Sequence, residues 1–458
     1  MERRFEARKQ AILKEADIQP QVVHGMVKRL EQFMKPFVAS LGRPEPKVNA
    51  HTYISGLLSD LERKNVESIA YRYDRDRRAL QRFIGLAPWN HQPLQQELAR
   101  QVGAQIGEED GVIVFDPSGF KKSGHHSVGV QHQWLGRLGK VDNGQVGIYM
   151  GYASRQEHTL VDERLYLPKK WAKDKTRRKK CGVPKHIQYQ TRHELALDML
   201  KSNRQYLPHN WIAGDDEMGR SSRFRRDLRA LSEQYLLDVP SNTTIRDLEA
   251  EPPAYGGRGP HPKQPFQRVD KWRAALDESA WTNIDVRDGE KGPLTIGIVT
   301  CRVVARTEQS QHEPVEELLI VTRRPEGNDS VKYDYHLSNA PVDTPLDELA
   351  RVVKAEHRIE DCLKRGKSQA GLSDYEVRTW AGWYHHQTLS LIALWFLVLE
   401  TRRGKKIYPC PDGTASSDDL VCAVASNLRP QISRLGQTLY QAKKQTQGAG
   451  SVLSLQAT

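Results

Sequence analysis

Apolar residues in the first hundred positions recur at helical spacing, as in Val23, Met26, Val27, Leu30, Phe33 and Met34, then Leu57, Leu58 and Leu61. This predicts a small all-helical unit over residues 1–108. Within it, residues 62–85 read as one amphipathic helix, a break near Tyr73 and Asp74, and a second helix carrying Arg75, Arg77, Arg78 and Arg82. Such a pair is either a helix-turn-helix that places its second helix in the major groove or a helical hairpin with a solvated basic face. The pattern weighs the two equally.

At Gly111 the period switches from helical to strand-like. GVIVFDPSGF, SVGVQHQW (Ser127 to Trp134) and QVGIYMGYAS (Gln145 to Ser154) predict three strands of an antiparallel meander. A helix at His193–Leu200, a strand at Trp211–Gly214, an Arg-rich helix at Ser221–Leu231 and a strand at Gln234–Val239 follow. That βββαβαβ order over residues 109–239 is the order of an RNase H-like core. Residues 240–345 then read as a β-rich insertion, opened by a Pro/Gly-rich bridge and carrying strands at Leu294–Arg306, Glu316–Arg324 and Val331–Asn339. Helical periodicity resumes over 346–402, and 403–458 reads as a C-terminal extension ending in a loose polar tail. The expected class is α/β: an RNase H-like catalytic core interrupted by a β-rich insertion, with an all-helical N-terminal DNA-binding domain.

Charge narrows the partner. Against 57 Asp and Glu the chain carries 69 Lys and Arg, a formal +12, which favours a polyanion such as nucleic acid. The longest apolar run, Leu389 to Leu399 broken by Ser390, is shorter than the roughly 18 residues a bilayer span needs, so no membrane partner is expected. MERRFEARK has charge but no apolar segment behind it, which predicts a cytoplasmic protein. Cys181, Cys301, Cys362, Cys410 and Cys422 are widely spaced with no CxxC pair, against a disulfide scaffold or a zinc finger.

The chemistry candidates are acidic. Asp116 closes the first core strand, Asp215 closes the fourth, and Glu360 lies in the helix after the insertion. First and fourth strands are neighbours in an RNase H-like sheet, so the two aspartates come side by side, and a helix packed on that edge brings in the glutamate. Three hard oxygen ligands suit Mg²⁺, with Mn²⁺ as a substitute, and two such ions activate a phosphodiester for in-line displacement. Taken singly each acid has a bland reading, an Asx turn for Asp116 and a solvated helix position for Glu360. Asp216, Glu217 and Asp361 compete for the register.

Longer motifs carry a family resemblance. YISGLLSDLERKNVESIA, LQRFIGLAPW, FDPSGFKKSGHHSVGVQHQWLGRLGKVDNGQVGIYMGYAS, LYLPKKWAKDKTRRKKCGVP, WIAGDDEMGRSSRFRRDL and AEHRIEDCLKRGKSQAGLSDYEVRTWAGWYHH occur in order between about Tyr53 and Lys406. The chain resembles DDE-type bacterial insertion-sequence transposases, in the family numbered seven-oh-one of the insertion-sequence-four-like group. The resemblance implies Asp116, Asp215 and Glu360 as catalytic carboxylates and metal ligands, and Lys367 as the lysine seven residues after the glutamate. It departs where the family has a tyrosine (Val353), an arginine (Glu356) and a second tyrosine (Met218); Arg358 stands near the missing arginine. It further implies double-stranded DNA partners, namely the element's inverted repeats and target DNA. A homodimer on DNA and a nucleoid-associated bacterial location follow from it too.

Basic and aromatic residues extend the DNA-binding expectation. Lys169, Lys170, Lys173, Lys175, Arg177, Arg178, Lys179 and Lys180 crowd one short stretch. Arg220 and Arg223 open the helix after Asp215, where a helix amino terminus also favours phosphate. With Lys367, Arg75, Arg78 and Arg82 they form the candidate contact set. Trp272 and Trp281 in the insertion are candidates to stack on a flipped base, with core packing the rival role. The pairs His125–His126 and His385–His386 lack metal-ligand spacing and read as structural or phosphate-facing.

Overall fold

The computed structural model describes residues 25–257, 259, 261–289, 292–307, 315–326 and 330–407. Residues 1–24 of the helical unit, Cys410, Cys422 and nearly all of the C-terminal extension lie outside the described residues.

Among the described residues five helices come first: α1 (Met26–Val38), α2 (Pro44–Leu57), α3 (Val66–Arg72), α4 (Arg77–Gly85) and α5 (Gln92–Ile106). The Asn65 side chain caps α3 by accepting the Ser68 N–H at 2.9 Å, and Asp76 caps α4 by accepting the Arg78 N–H at 2.9 Å. Between them the chain breaks where expected, at Tyr73–Asp76, with Asp74 in the left-handed region at φ 47°.

Then follow β1 (Val112–Lys121), β2 (Gln131–Leu135), β3 (Lys140–Ala153), β4 (His158–Leu165), α6 (Lys169–Lys173), α7 (Lys175–Lys180), α8 (Arg192–Asn203), β5 (Trp211–Gly214), α9 (Asp216–Gly219), α10 (Ser222–Ala230) and β6 (Tyr235–Asp238). The next segment supplies β7 (Thr244–Asp247), β8 (Gln267–Arg268), α11 (Val269–Ala274), β9 (Thr282–Gly289), β10 (Gly292–Ala305), β11 (Glu316–Glu326) and β12 (Ser330–Ser338). Two long helices, α12 (Leu346–Gln369) and α13 (Trp380–Ile407), complete the described chain.

All the strands join one sheet in the order β2-β3-β1-β5-β6-β12-β11-β10-β7-β8, with β4 also on β3 and β9 on β10. Among the described residues only β1, β5 and β6 run parallel, and every other pairing is antiparallel. The β-rich segment therefore does not stand apart, because β12 pairs with β6 from His336↔Asp238 to Ser338↔Leu236 and extends the same sheet. Two strand expectations shift. Residues 127–130 are not strand, and β4, which sequence reading missed, occupies the outer edge. HTLVDERL hides its strand character because Asp162 and Glu163 are buried there, with Glu163 accepting from Gln95 and Thr388 at 2.9 Å each.

Two close approaches set the helices over this sheet. At Gly151 on β3 an added Cβ would meet Ile359 of α12 at 2.5 Å, so the glycine lets α12 lie down on β3. At Gly219 an added Cβ would meet the Asp238 carbonyl at 2.0 Å, so α9 sits directly against β6. The expected buried helix is α13, where Leu389, Leu391, Ile392, Ala393 and Trp395 are buried. His385 and His386 are structural there: His385 bonds the Ile84 and Trp89 carbonyls at 2.9 Å, and His386 pairs with Tyr53 at 2.8 Å and the Gly371 carbonyl at 3.0 Å. No described helix is long and apolar enough to cross a membrane.

Candidate active site

The site begins where the sheet splits. β1 and β5 pair in parallel from Val112↔Trp211 to Phe115↔Gly214, so the next residues of the two strands, Asp116 and Asp215, stand side by side. Strand β5 stops there because Asp215 turns to cap α9, its carboxylate accepting the Met218 N–H at 3.1 Å. Strand β1 instead continues to Lys121, held by β3 alone. Asp116 thus lies in mid-strand rather than at a strand end, one residue past the last β1 position paired on that side.

Alternation places Ser118 on the same face of β1 as Asp116. Lys367 of α12 donates to the Ser118 hydroxyl at 2.7 Å, which fixes α12 over that face. Counting back along α12, Glu356, Glu360, Leu363 and Lys367 form one stripe at spacings of four, three and four. The helix therefore presents two glutamates, one turn apart, towards the aspartate pair.

The two glutamates differ. Glu360 is 57% exposed and lies 3.5 Å from Lys364, an i,i+4 pair on the helix surface. Glu356 is deeper and is hydrogen-bonded to Asp238, at the end of β6. Asp238 in turn accepts a hydrogen bond from His336 of β12. Burial pushes the His336 ring down to about 4, which keeps it neutral. Burial raises Asp238 to about 7, and burial together with Asp238 raises Glu356 well above the usual carboxylate range.

The same crowding acts on the aspartates. Burial, then the charge of Glu356, raises Asp116 to about 7, opposed by Lys367 and reinforced by Glu360 and Glu217. Burial, then Asp116, raises Asp215 well above its ordinary value, partly countered by the Met218 N–H. A pocket whose carboxylates hold each other protonated has a deficit of positive charge, which is what a hard divalent cation supplies. Asp116 and Asp215 fit such an ion as adjacent oxygen donors. Among the described residues no three His, Cys, Asp or Glu side chains close on a single point.

Sequence reasoning treated Glu356 only as a departure and missed Asp238. The signal for Asp238 was available: it ends the third parallel strand, as Asp215 directly follows the second. Of the rival acids, Asp216 is exposed and paired with Arg220 at 3.2 Å, Asp361 pairs with Lys364 at 3.2 Å, and Glu217 is clasped by Arg192.

The cationic candidates fall into two groups. Lys169, Lys170, Lys173, Lys175, Lys179 and Lys180 are exposed on α6 and α7, while Arg178 turns inward to the carbonyls of Ala172, Pro184 and Ile187 at 3.1, 3.0 and 2.6 Å. Arg177 stacks on the buried Trp171 ring at 3.9 Å. Arg220 and Arg223 are exposed, Arg223 lying 3.5 Å from Glu194. Arg78 and Arg82 share the exposed face of α4, whereas Arg75 sits in the preceding turn and donates to Thr52 at 3.3 Å. Trp272 is buried in the core beneath β10, its indole N–H given to Asp247 at 2.7 Å, and offers no open ring face. Trp281 is partly buried under the Arg323 guanidinium at 4.5 Å.

An acidic pair at the fork of a mixed sheet, with a glutamate-bearing helix laid across it, defines an α/β protein with a candidate phosphodiester-cleaving centre. The family model described as DDE superfamily endonuclease matches residues 36–293, a span that contains both aspartates. The chain belongs to that family, as its motifs led one to expect. It is also 26% identical over 370 residues to a protein of Microchaete diplosiphon named probable transposase for insertion sequence element IS701, covering 79% of this chain and 84% of that one. Among solved structures, a piggyBac transposase synaptic complex with hairpin DNA matches with a TM-score of 0.39 at 10% identity, covering 91% of this chain and 81% of that one.

Proposed function

We propose that this chain is a DDE transposase that binds the inverted-repeat ends of its mobile element, cleaves them by metal-dependent phosphodiester hydrolysis and joins the 3′ ends to target DNA. The observation that carries the reading is the adjacency of Asp116 and Asp215 at the end of the β1–β5 pairing, with α12 across it. Membership of an endonuclease family and similarity to a protein named as a probable transposase support it.

On this reading the order β4-β3-β1-β5-β6, with the last three strands parallel, is an RNase H-like core running over 109–239 and completed by the helices of 346–402. The helices before residue 109 form the DNA-binding domain, and 240–345 is the β-rich insertion. Asp116, Asp215 and Glu360 hold Mg²⁺, or Mn²⁺ in its place; the ion supplies Lewis-acid stabilisation of the developing charge on the phosphodiester. Lys367 orients the β1 face through Ser118 and offsets the acid charge beside the scissile phosphate. The exposed lysines of α6 and α7, with Arg220, Arg223, Arg78 and Arg82, neutralise phosphates of double-stranded DNA. A homodimer brings the two element ends together in the bacterial cytoplasm.

A second reading, a sequence-specific DNA-binding protein without catalysis, is favoured by one observation: the family's arginine position holds Glu356, which raises Asp116 further from the ionised state. One experiment separates the readings. A duplex carrying the inverted repeats from the DNA flanking the gene, labelled at its end, is incubated with the protein, Mg²⁺ and a target plasmid. Labelled ends covalently joined to plasmid support the transposase; cut ends that never join indicate a nuclease. Tight binding with neither product establishes the non-catalytic reading.

A further inference from the structure

The outer edge of the sheet carries an exposed apolar face that nothing in the cleavage chemistry uses. Strand β2 pairs with β3 from Gln131↔Gly144 to Leu135↔Lys140, a ribbon of five residue pairs, about 17 Å long at ~3.4 Å per residue. One face is anchored: Leu135 is buried, and Gln133 donates to the Gly144 carbonyl at 2.7 Å. The other face would ordinarily be polar. It instead presents Trp134, 54% exposed, directly opposite Val141, 61% exposed, with Leu138 at the tip 40% exposed.

The surroundings are cationic. His132, two residues before Trp134 and on the same face, borders a hollow that His125, His126, Lys170, Arg177 and Lys180 also line, and no acidic side chain lines it. On the far side Lys121 and Lys140 flank Asp142 at 3.1 and 3.6 Å. Two copies of this chain meeting through the patch about a twofold axis would bring like charges together, which opposes self-association. A polyanion meets no such barrier.

We propose that the β2–β3 ribbon is a base-reading element that enters the major groove of the element's end. Trp134 and Val141 pack on thymine methyls, His132 reaches a base edge, and the hollow beside α6 and α7 seats the flanking phosphates. This rests on the transposase reading. A two-stranded ribbon fits a major groove about 12 Å wide, where thymine alone displays a methyl group. Along β3, Val141 is eight residues from Tyr149, the partner of Asp116 (149 − 141 = 8), so the ribbon reads bases at most about 27 Å from the cut. At ~3.4 Å per base step that is roughly eight base pairs inside or outside the cleavage point.

The test compares binding of the full chain to the inverted-repeat duplex made with thymine, to the same duplex made with uracil, and to a random duplex, with cleavage followed in parallel. Wild type should bind the uracil duplex roughly tenfold more weakly than the thymine duplex. The surface variant W134S/V141S should bind thymine DNA roughly tenfold more weakly, bind random DNA as wild type does, and lose the thymine–uracil difference. K170Q/K180Q should weaken binding to all three duplexes and lower the salt slope by about two. Equal wild-type binding of thymine and uracil duplexes overturns the proposal, as does a W134S/V141S protein that keeps the difference; either result leaves cleavage, and so the transposase reading, standing. Sedimentation showing that W134S/V141S merely dissociates a wild-type dimer would reassign the patch to chain–chain contact and overturn it too. A wild type that neither prefers nor cuts the repeat duplex removes both readings.

Discussion

Glu356 of α12 is hydrogen-bonded to Asp238 at the end of β6, one helical turn before Glu360. The bond joins two acids that are distant in sequence and would repel if both were ionised. It places an acid where the resemblance leads one to expect an arginine. A variant with Gln at 356 keeps a hydrogen-bond partner for Asp238 and should retain the fold and DNA binding. Glu356→Ala leaves Asp238 without that partner and should destabilise by about 1–3 kcal/mol, measured by denaturant unfolding. Glu356→Arg should pair with Asp238 and draw the Asp116 pKa down, moving the cleavage pH profile to lower pH; an unmoved profile contradicts the electrostatic link.

Asp116 links pH to stability. Its folded pKa, about 7, exceeds its ordinary 3.8, so the folded state binds the proton more tightly than the unfolded chain does. The associated stability is fully present below pH 3.8 and is lost as pH rises through about 7. Asp116→Asn should therefore raise the melting temperature of metal-free protein at pH 8 and change it little at pH 4. Because cleavage requires the ionised acid, the rate at low Mg²⁺ should rise through pH 7, and more Mg²⁺ should shift that rise downwards by competing with the proton.

Lys367 acts through Ser118 and by its charge. Lys367→Met should lower the single-turnover cleavage rate and move its pH dependence upwards, because the cation opposing the acids is gone. Duplex affinity should fall by no more than a few-fold. A large affinity loss with an unchanged pH profile would make Lys367 a simple phosphate contact.

Neighbouring cations in the basic stretch should behave differently. Arg178 supports three carbonyls, so Arg178→Ala should lower stability by roughly 1–3 kcal/mol. Lys179→Ala should leave the melting temperature unchanged and weaken DNA binding uniformly across sequences, with a shallower salt slope. Equal effects of the two on stability would contradict their opposite orientations.

The sequence was most readable where one face of an element is apolar. The strand from Val112, the α12 and α13 helices and the break at Tyr73–Asp76 all follow from periodicity and caps. β4 was invisible because its interior acids are buried and satisfied by partners, Gln95 and Thr388 for Glu163 and Asn203 for Asp162, that no local pattern reveals. The two aspartates do stand side by side, yet Asp215 follows the fifth strand rather than the fourth and Asp116 lies in mid-strand, since only the three-dimensional pairing tells that β5 stops first. Arg177 and Arg178 read as surface charge from composition; the carbonyls that turn Arg178 inward come from α6 and from the loop after α7. Asp238 and Glu356 meet through the sheet and are 118 positions apart (356 − 238 = 118).

The most direct test of the account is single-turnover cleavage of the end-labelled inverted-repeat duplex in Mg²⁺ by wild type, Asp116→Asn, Asp215→Asn and Glu360→Gln, with duplex affinity measured beside it. Metal-dependent nicking at the repeat boundary that falls at least about a thousandfold in each variant, while affinity stays within a few-fold of wild type, is the predicted result. Cleavage at the wild-type rate by either aspartate variant would contradict the assignment of the β1–β5 pair as the catalytic centre.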